Sequence, residues 1–259
     1  MTWSLDAAAA VGAVCLASGF LVPTIIRHVP EPPSKESEVD EADTTTPEDP
    51  TDLSTIRSPD TVAEEPKELY VSIAALPGLG WKSALAAGIV GALVGGKVGW
   101  HWELLFLVYL VPVGVALAVV DWRTRLLPTR LIAPSYAVVI TLVVAAAVLS
   151  GDRDDLVRAG WGWFAYGVLF FATWWIYPPA MGYGDVRLSG LLGIALGYLG
   201  WGELVVGIFG AFVVGGPGGL ILSMLKVVDR KANPFGPAML IGAVLGVLFG
   251  PWYAGHYVV

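Results

Sequence analysis

Gly182-Tyr183-Gly184-Asp185 stands between two greasy runs, residues 161–177 before it and 188–201 after it. A charged group at the centre of a membrane helix costs at least ~2.5–3.5 kcal/mol on insertion scales, so such residues are functional or buried in protein. A second aspartate, Asp121, closes another apolar run at 104–120 and is followed by Trp122-Arg123. The two carboxylates can share a task only if the crossings between them bring them to the same depth.

Working outward, the composition is that of a membrane protein. Mean hydropathy is +0.69. Hydrophobic residues make up 56% of the chain and charged residues 14%, where a soluble domain carries about a quarter charged. The net charge of −7 is not evenly spread: residues 27–69 hold 13 acidic and 4 basic side chains, which leaves the rest slightly basic. The single cysteine, Cys15, lies in an apolar run. It allows no disulfide within the chain and no thiolate zinc site. His28, His101 and His256 are too far apart in sequence to form a histidine metal motif. No metal, no cofactor and no nucleic-acid partner is expected; the lipid bilayer is the expected surroundings.

Apolar runs of about 20 residues are long enough to span a bilayer. Eight regions qualify or come close: 5–26, 81–100, 104–120, 131–149, 161–177, 188–201, 204–225 and 238–257. The fold class is therefore an all-α polytopic membrane protein, with about eight transmembrane helices and a disordered acidic cytoplasmic loop. The domains read as 1–26, an N-terminal transmembrane helix; 27–70, the acidic loop; and 71–259, the membrane core. The first run has no basic residues before it, as a cleaved signal peptide would, and Arg27 follows it. It reads as a permanent helix with its N-terminus outside. Residues 29–69 contain no aromatic residue and few aliphatic ones, so they cannot bury enough apolar surface to offset ordering entropy. They read as a solvated tether, with an electrostatic lure for a basic partner as the other reading. Glycines at 88, 91 and 95, and again at 190, 193, 197 and 200, recur on one side of a helix. Small residues so placed let helices pack closely.

Eight crossings give a charge map. The inner connections collect Arg123, Arg125, Arg130, Arg187, Lys226, Arg230 and Lys231, whereas the outer ones hold only Arg153 and Arg158. That is the positive-inside asymmetry. Lys97, near an outer end, does not fit it. The same map puts Asp121 and Asp185 at one face, the cytoplasmic one.

Two carboxylates at one depth suit acid–base work. In hydrolysis of a peptide bond by an aspartyl pair, one carboxylate takes a proton from water and the other, protonated, donates to the scissile carbonyl oxygen. Neighbouring like charges resist joint ionisation, so such a pair shares one proton. Gly182 and Gly184 would leave room for an extended substrate and permit dihedrals closed to other residues. Other readings stay open at this point. Asp121 with Arg123 and Arg125, and Asp185 with Arg187, would also serve as helix-end ion pairs, and a proton-coupled transporter would use the same aspartates as relay sites. Transporters often carry internal repeats, and no convincing repeat relates the two halves.

Three segments, in this order, carry a family resemblance: Asp121-Trp122-Arg123 with Leu127-Pro128, then Gly182-Tyr183-Gly184-Asp185-Val186-Arg187-Leu188, then Pro234-Phe235-Gly236-Pro237. The chain resembles the type IV prepilin peptidases, polytopic aspartyl proteases with a Gly-x-Gly-Asp motif, over roughly residues 80–257. The resemblance implies that Asp121 and Asp185 are the catalytic pair. Gly182, Gly184, Arg187, Pro234, Phe235, Gly236 and Pro237 are then the surrounding active-site positions. It further implies a prepilin or pseudopilin substrate, cut between a short basic cytoplasmic leader and its hydrophobic helix, at the plasma or inner membrane. No oligomeric state follows from it. The family often has Asn where this chain has Thr129, Lys where it has Arg187, and an aliphatic residue where it has Asn233. Family members that also N-methylate their product carry two Cys-x-x-Cys pairs in the first cytoplasmic loop. That loop here has no cysteine, so neither zinc nor methylation is expected.

Overall fold

The computed structural model describes residues 3–31, 68–176, 181–224 and 234–257. The expectation of disorder in the acidic segment, and the inner cations Lys226, Arg230 and Lys231, lie outside the described residues. Among the described residues all regular structure is helical. In chain order the helices are α1 (Leu5–Gly19), α2 (Val22–Arg27), α3 (Tyr70–Ala74), α4 (Leu79–Val98), α5 (Leu104–Thr124) and α6 (Thr129–Ser150). There follow α7 (Asp154–Ile176), α8 (Tyr183–Leu199), α9 (Trp201–Val213), α10 (Gly219–Met224) and α11 (Gly236–Tyr257). A π-helical turn, Val214–Gly218, joins α9 to α10 around Pro217.

Among the described residues five stretches are long and apolar enough to cross a membrane: α4, α5, α6, α11 and Trp201–Gly218. The other three expected spans are helical but differ from a simple crossing. The first is broken into α1 and α2. Pro23 sits in the first turn of α2, where its missing N–H costs nothing, and the chain turns at Phe20-Leu21. α7 has 23 residues but opens with Asp154, Asp155 and Arg158. α8 has 17 residues and begins at Tyr183 with Gly182 as its N-cap, so the glycine motif lengthens the short apolar run. α5 also runs further than its apolar stretch, through Asp121 to Thr124.

The helices pack in pairs through small residues, because backbones can approach only where no side chain intervenes. A Cβ on Gly91 would lie 2.5 Å from Cys15 Cβ, and one on Gly95 2.7 Å from the Ala7 carbonyl. The first glycine stripe thus seats α1 on α4. The second seats α8 on α7: a Cβ on Gly193 would lie 2.5 Å from the Gly162 carbonyl, and one on Gly197 2.8 Å from the Arg158 carbonyl. α11 meets α9 in the same way, with Gly242 against the Gly207 carbonyl and Gly250 against the Glu203 backbone. Arg158 closes the far end of α8. Its Nε donates to the Gly197 carbonyl at 2.8 Å, and its Nη2 donates to the Tyr198 carbonyl and to Asp155 Oδ1. A cation on terminal carbonyls satisfies acceptors that the helix itself leaves open.

Candidate active site

Asp121 lies in the last turn of α5 and Asp185 in the first turn of α8. Both are buried, 4% and 6% exposed. Burial at that level demands hydrogen-bond partners for a carboxylate, and each has one from the backbone. Asp185 stands three residues into its helix, and its Oδ2 accepts the Gly182 N–H at 3.0 Å. The Asp185 N–H donates back to the Gly182 carbonyl at 3.0 Å. This is the acidic half of a capping box, and a helix N-terminus favours negative charge.

Asp121 is in the opposite situation. The C-terminal turn of a helix is a poor place for a carboxylate, because the helix dipole is negative there. The compensation comes from another helix: Asp121 Oδ2 accepts the N–H of Gly236, the first residue of α11, at 2.9 Å. Gly236 has to be glycine for this contact, since a Cβ there would lie 2.6 Å from that same oxygen. The preceding residues hold Gly236 in place. Phe235 packs its ring 5.8 Å from Phe170 and 6.0 Å from Phe212. Room for that ring is made by Gly215 in the π turn, where a Cβ would lie 2.3 Å from the Phe235 ring. Pro234 is buried beside it.

The structure thus sets Asp121 on Gly236 and Asp185 on Gly182, and Leu127, just past the end of α5, lies against Gly184 in the first turn of α8. Asp185 Oδ1 is buried and has no hydrogen-bond partner among the described residues. One oxygen of this carboxylate is therefore fixed and the other is available.

The ion pairs that the charges allowed are not formed among the described residues. Arg123 pairs with Glu68 at 3.3 Å. Arg187 donates to Thr129 Oγ1, and its guanidinium sits 4.7 Å above the Tyr183 ring. Tyr183 in turn meets Trp174 at 5.1 Å. Arg187 is therefore a tie between α8 and the start of α6 and is not a partner of either carboxylate. Thr129 and Arg187, two of the three positions where the chain departs from the usual residues of the family it resembles, touch each other.

The dihedral reason for the motif glycines needs correction. Gly182 has φ −74° and ψ 151°, which any residue adopts, and Gly184 is absent from the positive-φ residues. Gly184 is needed for approach instead: a Cβ there would lie 2.7 Å from Leu127 Cβ. The only non-glycine residue with positive φ among those described is Arg125, at 56°. It caps α5 by donating its N–H to the Asp121 carbonyl at 2.8 Å.

Tyr136 escaped the sequence reading. Its hydroxyl donates to the Arg187 carbonyl at 2.7 Å, which pins the first turns of α8 to α6. A lone tyrosine in an apolar run carries no signal for this; the nearest hint is the bare position it fills, Gly190, where a Cβ would lie 2.3 Å from Tyr136 Oη. Among the described residues no cluster of His, Cys, Asp and Glu is arranged to hold a metal ion.

Comparison with known proteins agrees with the motif reading. Residues 106–220 match the type IV leader peptidase family. That stretch contains both aspartates but ends before Pro234. A prepilin leader peptidase/N-methyltransferase of Stutzerimonas stutzeri is 26% identical over 179 residues, covering 67% of this chain and 59% of that protein. The protein of that name from Pseudomonas aeruginosa is 28% identical over 170 residues, covering 61% of this chain and 56% of its own length. The one from Aeromonas hydrophila is 28% identical over 167 residues, covering 60% and 54%. The chain therefore spans a little over half the length of these relatives. No solved structure matches it. The resemblance to type IV prepilin peptidases thus stands, and with five apolar helices the chain is a multi-pass membrane protein.

Proposed function

We propose that the chain is a prepilin leader peptidase, an aspartic-type endopeptidase whose catalytic pair is Asp121 and Asp185. The observation that carries this reading is a pair of buried carboxylates at two helix ends that pack together where Leu127 lies against Gly184. Each is held through Oδ2 by a backbone N–H, and Oδ1 of Asp185 has no partner among the described residues. A structural ion pair would have consumed that oxygen.

In the proposed reaction one aspartate is the carboxylate and the other is protonated. The carboxylate takes a proton from water as the water oxygen attacks the scissile carbonyl carbon. The protonated partner donates to the carbonyl oxygen. As the C–N bond breaks, the amine leaves with the proton that the first aspartate took from water, and the hydroxyl formed from the carbonyl oxygen returns its proton to the second aspartate. Preorganised groups held in a dry site are worth far more than the same groups in water. The backbone N–H groups of Gly182 and Gly236 fix the carboxylates for this purpose. Gly184, Arg187, Pro234, Phe235 and Pro237 act by placing the two helix ends against each other.

The substrate is a prepilin or pseudopilin, cut between its basic leader and its hydrophobic helix. The pair then sits at the cytoplasmic face of the plasma or inner membrane, in a chain of about eight crossings with a separate leading helix, an acidic loop over 27–70 and the peptidase core over 71–259. The test is co-expression with a candidate prepilin from the same genome, read by the gel shift that accompanies loss of the leader. Asp121→Asn and Asp185→Asn are each expected to lower cleavage by roughly 10⁴-fold or more, because groups that act as a unit fail together. Membrane insertion should be unchanged. Full cleavage by either variant would overturn the two-aspartate mechanism.

A further inference from the structure

A cleft of about 1120 Å³ opens between α4, α5, α8 and α11. On α5 it runs from Leu107 to Arg123, about 24 Å at 1.5 Å per residue. That is most of a hydrocarbon core about 30 Å thick. Its walls are apolar over nearly the whole length, with Val94, Leu192 and Val244 facing Leu107 and its neighbours.

The charged side chains on the cleft are Lys82 and Arg123. Lys82 lies in the first turn of α4 and Arg123 in the last turn of α5, so both stand at the same end. Trp122 joins them there and is 46% exposed. Tryptophan concentrates at the depth of lipid headgroups. The Lys82 ammonium has no hydrogen bond or ion pair among the described residues, and the Arg123 guanidinium holds only its exposed contact with Glu68, a kind of pair that contributes little. An apolar trough ending in two cations and an interfacial aromatic matches one kind of occupant, a molecule with apolar chains and an anionic head. A basic polypeptide leader would be repelled from this mouth.

We infer that the cleft is a binding site for one anionic phospholipid, its phosphate between Lys82 and Arg123 and its acyl chains along α5. Basic pockets between transmembrane helices hold acidic headgroups elsewhere. Glu68 competes with the phosphate for Arg123, which makes the end of the acidic segment a brake on lipid binding. The site takes lipid whether or not the neighbouring carboxylates cleave peptides, so its test does not depend on the proposed activity.

The test uses the full chain in vesicles of equal phosphatidylglycerol and phosphatidylcholine, extracted in mild detergent. Retained lipid is identified by native mass spectrometry. The expected result is one tightly held phosphatidylglycerol per chain. Lys82→Gln and Arg123→Gln should each lower the preference for phosphatidylglycerol about fivefold, and Glu68→Gln should raise it. Lys97→Gln, which is off the cleft, should leave it unchanged. Ala118→Phe narrows the trough without touching charge and should lower retention of both lipids, which keeps the site testable if the charge variants fail to fold. Equal retention of the two lipids by the unaltered chain would overturn the inference. So would a preference that survives the Lys82→Gln/Arg123→Gln double variant, or a cross-link from the cleft to a polypeptide in place of lipid.

Discussion

Gly236 shows why a single hydrogen atom in place of a methyl group matters at the residue scale. Asp121 sits at the wrong end of a helix for a carboxylate, and its support is one N–H that must come within 2.9 Å. A methyl at Gly236 would stand 2.6 Å from the accepting oxygen and 3.1 Å from its carbon. The carboxylate would have to turn away, and the hydrogen bond would go with it. A displacement near 1 Å in a catalytic group costs about 100-fold, so Gly236→Ala should lower cleavage by about that factor in the co-expression assay. Overpacking adds about 1–3 kcal/mol of destabilisation, which thermal unfolding in detergent would read separately. Gly182→Ala should give much the smaller loss, since its Cβ would meet Asp185 Oδ2 at an ordinary 3.5 Å and its backbone is unstrained. Equal losses at the two positions would show that the motif glycines work by something other than space. The aspartates themselves were legible in the sequence because charge at membrane depth is rare and the surrounding glycines and prolines are distinctive. Their partners were not. The hydrogen bond from Gly236 spans 115 residues, and no local pattern announces it.

At the scale of elements, α8 must be held so that its first turn presents Asp185, and three contacts do this at different heights. Arg158 binds the carbonyls at its far end. The glycine stripe seats its middle on α7. Tyr136 binds the Arg187 carbonyl two residues past the aspartate. Tyr136→Phe removes a neutral hydrogen bond worth about 0.5–1.5 kcal/mol. The expected outcome is a loss of stability of that order together with slower cleavage. Gly190→Ala should cost more, because its methyl would press on the same hydroxyl at 2.3 Å and on Trp163 Nε1 at 3.0 Å. The two changes share a contact and should not add: Tyr136→Phe should soften the effect of Gly190→Ala in a double-mutant cycle. Strict additivity in unfolding midpoints would mean that the hydroxyl and the glycine are unrelated. Small residues repeating every three or four positions are a signal the sequence does carry, which is why both glycine stripes were readable. Helix ends were read less well. α5 continues through Asp121-Trp122-Arg123-Thr124, residues that look like a loop by hydropathy, because packing buries Asp121 and Thr124. The break at Phe20-Leu21 and the π turn at Val214–Gly218 were hidden for the reverse reason, being apolar and so continuous on any hydropathy scale.

For the whole molecule, the decisive quantity is which side of the membrane the carboxylates face. The distribution of Lys and Arg argues for the cytoplasm, with Lys97 as the exception. The structure gives that exception a physical reason. Lys97 lies in the last turn of α4, where a cation suits the helix dipole. Arg158 is paired with Asp155 at 2.6 Å. Arg158, on the expected outer face, is thus paired with an acid, whereas Lys82 and Arg187 at the other face have no ion pair among the described residues. Unmatched cations near the ends of spans are the ones that attract the acidic inner leaflet. The charge map thus predicts an orientation with α4 starting inside, and with it Asp121 and Asp185 inside as well. Cysteine labelling checks it. On a Cys15→Ala background, Asp152→Cys should react with a membrane-impermeant thiol reagent in intact cells. Ser37→Cys, in the acidic segment, should react only after the membrane is opened. Labelling of Ser37→Cys in intact cells would invert the molecule and carry both carboxylates to the outer face, out of reach of any cytoplasmic leader.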